Sequence, residues 1–247
     1  MDLFKLLAAR AIGRGSAAKT AAAAALLDHD LGTSLVAGAL QRGSDSGREL
    51  AFLESNGAQY IDTGVLPSED LKITVEFCHE SENVECAPRQ YIFGTYNKVS
   101  STVYSRAQFM HGGDGTIGSG ATKLDGICGW SQNWGRVSFA EMHTTMKTII
   151  ADDFGFRFSG EGRLFYSNSQ VFTNPIPIFL FACNESGTAN WFSKGVRIAR
   201  ASFEKSGVLI ADFVPWELGG QVGMKDLASG AFHANAGEGE FLKGGYV

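Results

Sequence analysis

The chain has 247 residues, a net charge of -5, 18 phenylalanines, 31 glycines and only 5 prolines. Acidic and basic residues are interspersed with no basic stripe, which argues against nucleic acid as a partner, and no run approaches the eighteen or so apolar residues of a membrane helix, so no membrane insertion is expected. Aromatic segments alternating with glycine turns fit a β-sandwich or barrel rather than a parallel α/β enzyme, and a chain of this length can bury a sizeable all-β core as one unit.

Taken in chain order, residues 1–15 come first. Leu3, Phe4, Leu6, Leu7, Ala11 and Ile12 fall on helix-compatible spacing, with Lys5, Arg10 and Arg14 mostly elsewhere, which predicts a short amphipathic helix broken by Gly13, Gly15 and Ser16. Residues 16–48 are an Ala/Gly/Ser-rich spacer ending in the polar hinge Gln41 to Gly47. The basic, Ala-rich start is a poor secretory signal, and an organellar transit peptide is the alternative reading.

From residue 49 to 247 the apolar period changes to two. Asn56-Gly57, between the segments around Phe52 and Tyr60, predicts a tight turn and an opening hairpin. Leu71 to Phe77 (LKITVEF) sets Leu71, Ile73, Val75 and Phe77 on one face and Lys72, Thr74 and Glu76 on the other, as in a half-buried antiparallel strand. Further strands are predicted at 90–96, 103–110, 137–139, 147–151, 154–158, 163–166, 176–182, 196–203, 208–214, 221–226 and 231–235. Gly112 to Gly120 and Asn184 to Gly187 read as turns. This many short strands without a long helix leaves a sandwich, jelly roll or barrel.

Residue chemistry is sparse. Cys78, Cys86, Cys128 and Cys183 fit no zinc spacing and read as buried free thiols of a reducing compartment, with a Cys78–Cys86 pair as the alternative. His29, His79, His111, His143 and His233 are dispersed, with no HExxH. No Gly-x-Ser-x-Gly elbow is present, and Gly113 to Gly120 (GDGTIGSG) lacks the lysine and helix of a phosphate loop.

Two stretches carry a family resemblance. Ala51 to Val65 (AFLESNGAQYIDTGV) resembles the opening of concanavalin A-like, laminin-G-like sandwich modules of bacteriophage virion proteins and gut-bacterial surface proteins. Ala211 to Pro215, Val222 to Asp226, Ser229 to Phe232 and Asn235 to Gly237 are similar to the end of those modules, so the resemblance brackets about residues 50 to 245. Ser229-Gly230 fits a strand reversal, Asn235 and Gly237 another, and Asp62 is expected to bond nearby amides before Gly64. The first residues (MDLFKLLAARAIG) look like short leaders on phage tail and head-appendage proteins.

The resemblance implies an all-β, concanavalin A-like jelly-roll sandwich of two antiparallel sheets behind an anchor segment. Glycosidases of this fold carry Glu-x-Asp-x-x-Glu on one strand, which this chain lacks; Glu80, Glu82 and Glu85 have the wrong spacing and read as a solvated loop. Related modules often bind calcium, for which Asp114, Asp125, Asp152 and Asp153 are conceivable ligands singled out by no spacing, so no cofactor is assigned.

Aromatic residues give the positive site signal. Trp130, Trp134 and Arg136 occupy the loop-like GWSQNWGR, and Trp191 the polar loop ESGTANWF. Flat rings and planar polar groups suit a glycan platform; the competing reading is that the tryptophans plug the sandwich ends or make subunit contacts. Trp216 beside Pro215 reads as packing. The expectation is a phage virion structural protein (head fibre, decoration or tail-associated display protein), localised to the virion. Its sandwich would contact host-surface polysaccharide, the first segment would dock on other virion proteins, and the protein would be a homo-oligomer that binds rather than catalyses. The alternatives are a purely structural virion protein and a bacterial surface lectin-like module.

Overall fold

The computed structural model describes residues 47–81, 90–100, 103–113, 125–139, 143–165, 172 and 176–247. The expected amino-terminal helix with Leu3, Phe4, Leu6, Leu7 and Ile12, the spacer, Glu82, Glu85, Cys86 and Asp114 lie outside the described residues.

Those residues form the strands β1 (Arg48–Glu49), β2 (Leu53–Asn56), β3 (Ile61–Asp62), β4 (Leu71–His79), β5 (Tyr91–Lys98), β6 (Tyr104–Gly113), β7 (Asp125–Ser131), β8 (Asn133–Ser138), β9 (Lys147–Asp152) and β10 (Gly155–Phe158). They continue with β11 (Arg163–Phe165), β12 (Phe179–Leu180), β13 (Cys183–Glu185), β14 (Thr188–Asn190), β15 (Lys194–Lys205), β16 (Val208–Leu218), β17 (Gln221–Asp226), β18 (Phe232–Ala234) and β19 (Leu242–Lys243). The first sheet runs β11-β10-β9-β4-β15-β16-β17-β18, with β1 on β16, β2 on β15 and β19 on β2. The second runs β14-β13-β5-β6-β7-β8, with β12 bridging β5 and β3. The result is the expected all-β sandwich of two sheets, in which β13 against β5 is parallel and every other ladder among the described residues antiparallel.

Alternation along β4 works as its sequence dictates. Leu71, Ile73, Val75 and Phe77 are 0–1% exposed, while Lys72, Thr74 and Glu76 are half-buried on the other face, where Lys72 Nζ pairs with Glu204 at 2.8 Å. The two inner faces meet through aromatic rings. Phe77 of β4 lies edge-on to Phe109 of β6 at 5.8 Å, and Phe93 of β5 stacks on Phe156 of β10 at 6.3 Å. Burying each such ring is worth roughly 2–3 kcal/mol in apolar transfer alone.

The closing turn forms as expected. Gly230 takes φ of 79°, and Gly230 N donates to Asp226 O at 2.7 Å. The Asp226 carboxylate accepts from the backbone amides of Asp212, Ala228 and Ser229 and from the Ser229 hydroxyl. Burial opposes its ionised form, but these donors outweigh burial and hold its pKa below the usual value. Gly64 N donates to Asp62 Oδ1 at 2.9 Å, and Gly237 N to Asn235 Oδ1 at 2.9 Å.

Two expectations are corrected. Asn56-Gly57 is a turn, with Gly57 at φ of 115°, but β2 joins the first sheet and β3 pairs with β12 in the second, so the opening segment crosses the sandwich instead of folding into a hairpin. Buried Gln59 holds that corner: its Oε1 accepts from Asn56 N at 2.8 Å, and its Nε2 donates to Glu238 O at 2.7 Å. The second correction concerns GWSQNWGR, which is not a loop but the end of β7, the tight turn at Gln132, and β8, with Trp130 opposite Asn133. Cys78, Cys128 and Cys183 are buried and form no disulfide among the described residues.

Three histidines that the sequence scatters come together at the end of β4 and β6. His79 Nε2 and His111 Nδ1 lie 2.7 Å apart, one ring donating to the other, and the His111 ring stacks on His143 at 4.8 Å with planes 4° apart. Parallel rings hold their lone pairs in parallel planes, and among the described residues no group of side chains converges as a metal site would. Phe77, Phe109, Phe139 and Phe158 surround them. Burial, aided by His143, brings the His79 pKa down to about 4, and burial together with His79 and His143 pulls His111 well below its ordinary value. An unfolded chain takes up these protons near pH ~6.5, whereas the fold refuses them until far lower pH. The contribution of His79 and His111 to stability is therefore complete above pH ~6.5 and declines with acidification, by up to about 1.4 kcal/mol per pH unit for each of the two. Urea unfolding between about pH 6.5 and 5, above the range in which carboxylates titrate, measures this slope. A flat midpoint there would mean that the rings are hydrated.

Candidate functional site

The same alternation that fills the core sends a second set of side chains outward from the second sheet. On β6, Ala107 and Phe109 face the core, so Tyr104, Arg106 and Gln108 face out. Cross-strand register lines them up with neighbours on the same face: Tyr96 opposite Arg106, Gly129 opposite Gln108, Trp134 opposite Gly129, and Glu185 opposite Tyr96. With Tyr91, Ile127 and Trp191 these residues line a groove of about 370 Å³.

Its walls are aromatic. Trp191 stacks on Tyr91 at 5.6 Å with planes 23° apart, and Tyr96 on Tyr104 at 5.3 Å and 20°. Trp191 has φ of 54°, a left-handed conformation that a bulky residue keeps only where its surroundings impose it. Those surroundings include the ring of Tyr91, whose backbone N donates to Trp191 O at 3.4 Å, and Ser193, whose hydroxyl donates to Tyr91 O. The β13–β14 hairpin turns at Ser186-Gly187, capped by Gly187 N donating to Asn184 Oδ1, and Asn190 Nδ2 donates to Glu185 Oε2 at 2.9 Å.

The floor is polar. Arg106 is 5% exposed, with its guanidinium 5.2 Å from the Tyr96 ring centre and 5.3 Å from that of Tyr104. Burial lowers its pKa, and the surrounding tyrosines oppose that shift. Gln108 is 4% exposed beside it. A side chain at Gly129 would place Cβ 2.8 Å from Arg106 Cδ and 2.9 Å from Gln108 Cγ, so glycine there lets both side chains lie flat across the neighbouring strand. Arg106 Nε and Gln108 Oε1 are buried and have no hydrogen-bond partner among the described residues. Convergent, unsatisfied polar groups between aromatic walls are the chemistry that a polar ligand could satisfy.

The residues singled out from sequence separate. Trp134, 54% exposed, and half-buried Trp191 line the groove. Arg136 is exposed on the same strand face, opposite Ile127 and outside the lining. Trp130 is 0% exposed and packs on Phe156 and Phe172, because on β7 its neighbours Gly129 and Ser131 take the outward positions. Trp130 is therefore a core residue and not part of a surface platform. Both oxygens of Asp152, one of the conceivable calcium ligands, accept from Arg157, at 2.9 and 2.7 Å. Tyr91, Tyr96, Tyr104, Arg106, Gln108 and Glu185 were not singled out from sequence. Their one signal is that Tyr104, Arg106 and Gln108 alternate with inward Ser105, Ala107 and Phe109.

No family model matches the sequence, and no curated protein matches it. Among solved structures the chain is similar to the CBM40 of Ruminococcus gnavus IT-sialidase, at 14% identity and a TM-score of 0.43, over 65% of this chain and 91% of that one. It is also similar to the same module bound to alpha2,3 sialyllactose (14% identity, TM-score 0.39, 63% of this chain and 91% of that one). A third similarity is to Scytalido-glutamic peptidase with a peptide-based transition state analog (15% identity, TM-score 0.34, 79% and 100%).

The two tryptophans of the β7–β8 hairpin are expected to behave oppositely. Trp130→Ala should destabilise the domain by about 3–5 kcal/mol through the cavity it leaves, and Trp134→Ala should change stability by less than about 0.5 kcal/mol. Chemical denaturation of both variants is the check, and equal losses would place both rings in the core.

Proposed function

We propose that this domain is a carbohydrate-recognition module that binds rather than catalyses, with the groove of the second sheet as its site. The carrying observation is the groove itself, in which Tyr91, Tyr96, Tyr104, Trp134 and Trp191 surround the unsatisfied polar atoms of Arg106 and Gln108. Sugars present C–H faces that pack on flat rings and hydroxyls that need planar hydrogen-bonding partners, and this lining offers both. Glycoside hydrolysis needs two opposed carboxylates, and Glu185 is the single one among the described residues lining the groove.

The setting we propose is a bacteriophage virion appendage that displays the groove to host-surface polysaccharide. Support for it comes from the bracketing stretches Ala51 to Val65 and Ala211 to Gly237 and from the leader-like first residues. A second reading, a structural protein held in contact with its own copies, draws support from the β15–β16 hairpin tip, where Val208, Leu209 and Ile210 are 65%, 48% and 41% exposed.

Glycan-array binding separates the two. Signal on host-type polysaccharides that weakens about tenfold or more with Trp134→Ala and with Trp191→Ala is the expected result, and silence across the array would sink the recognition reading. For the virion setting, deleting residues 1–15 should abolish incorporation into particles while the domain remains folded; unchanged incorporation would remove the anchoring role.

A further inference from the structure

We propose that the groove selects an anionic sugar, with Arg106 as the counterion of its carboxylate or sulfate and Gln108 Oε1 accepting a neighbouring hydroxyl or N–H. This rests on the carbohydrate-recognition reading and narrows it to a substrate class.

Three other arginines of this protein are each held by a carboxylate. Arg157 pairs with Asp152, Arg197 with Glu54 and Arg200 with Asp212, at 2.6–2.7 Å, although their side chains remain 31%, 32% and 56% exposed. Arg106, far more buried, has no carboxylate partner among the described residues. The rings beside its guanidinium, those of Tyr96 and Tyr104, supply no countercharge. A guanidinium withdrawn from water without an anion is costly, and proteins tolerate that arrangement where a ligand completes it.

The surroundings suit an oxyanion. The Tyr96 and Tyr104 rings lie 5.2 and 5.3 Å from the guanidinium, and its planar fork matches a carboxylate or sulfate through paired N–H donors. Gln108 stands two residues along β6 on the same face and presents an acceptor, so the group beside the anion must donate. Sugars bearing an acidic group have hydroxyls at that distance. Glu185 sits two strands from Arg106, roughly 10 Å by strand spacing, and repels further negative charge, so one acidic group at one end of the ligand fits better than a run of them.

The test uses the full chain on an array carrying neutral glycans, sulfated glycans, and uronate- and sialic acid-containing glycans, the last two also in carboxyl-reduced form. Binding is expected for acidic glycans, weaker by about tenfold or more after carboxyl reduction, with Arg106→Gln, and with rising salt. Gln108→Glu should fill the guanidinium from within, abolishing acidic-glycan binding while the protein stays folded. Binding of sulfated glycans alone identifies sulfate as the anion and also supports the proposal. Equal binding of neutral and acidic glycans, unchanged in Arg106→Gln and Gln108→Glu, overturns the anion and leaves carbohydrate recognition standing; no binding to any glycan overturns both. Should Arg106→Gln not fold, the unaltered protein on intact and carboxyl-reduced glycans still decides.

Discussion

Phe77 and Phe109, reaching inward from β4 and β6, and Phe93 and Phe156, from β5 and β10, tie the two sheets to each other. Everything on the outer face of the second sheet depends on that contact. With side-chain period two, the register that sends Phe109 and Ala107 inward is the register that sends Arg106 and Gln108 outward. A slip of one residue in β6 would bury the guanidinium among phenylalanines and expose the phenylalanines in the groove. Core packing thus fixes the site, and the site needs no special backbone beyond the left-handed residue at Trp191 and the bare Cα at Gly129.

That same rigidity would set how the groove meets the proposed ligand. Tyr91 and Trp191 are already stacked, Tyr96 and Tyr104 likewise, and Arg106 is hemmed in by rings, so little side-chain freedom is left to lose on binding. Trp134 is the freer partner, standing on a hairpin with its ring largely in solvent. On the proposed reading, a preformed floor with one adjustable aromatic edge would favour a ligand recognised mainly by its charge and stereochemistry.

The sequence conveyed the fold well wherever apolar alternation was strong. Leu71 to Phe77 and Gln221 to Asp226 are strands as read, and the Asp226–Gly230 turn follows from side-chain chemistry local to it. It concealed β7, because Gly126 and Gly129 weaken strand propensity and DGICGWS reads as turn material, yet both glycines face close neighbours that leave no room for a Cβ. It misplaced the opening hairpin because a turn signal states that the chain bends but not which sheet receives the next strand. For the site, tryptophan content pointed to the right hairpins without the parity that separates Trp130 from Trp134. The tyrosines, Arg106 and Gln108 were hidden because an outward polar strand face looks the same whether it meets water or a ligand. The clustering of His79, His111 and His143 is a long-range product of β4 and β6 ending together and has no local trace.

The edges of the described domain carry a geometric consequence. Arg48 and Glu49 pair with Glu217 and Trp216, Leu50 bridges Tyr246, and Val247 N donates to Glu49 O, so the entering and leaving strands are zipped together in the first sheet. Joining its first and last described residues in one ladder makes the closure of the domain cooperative, so fraying at one end unpairs the backbone of the other.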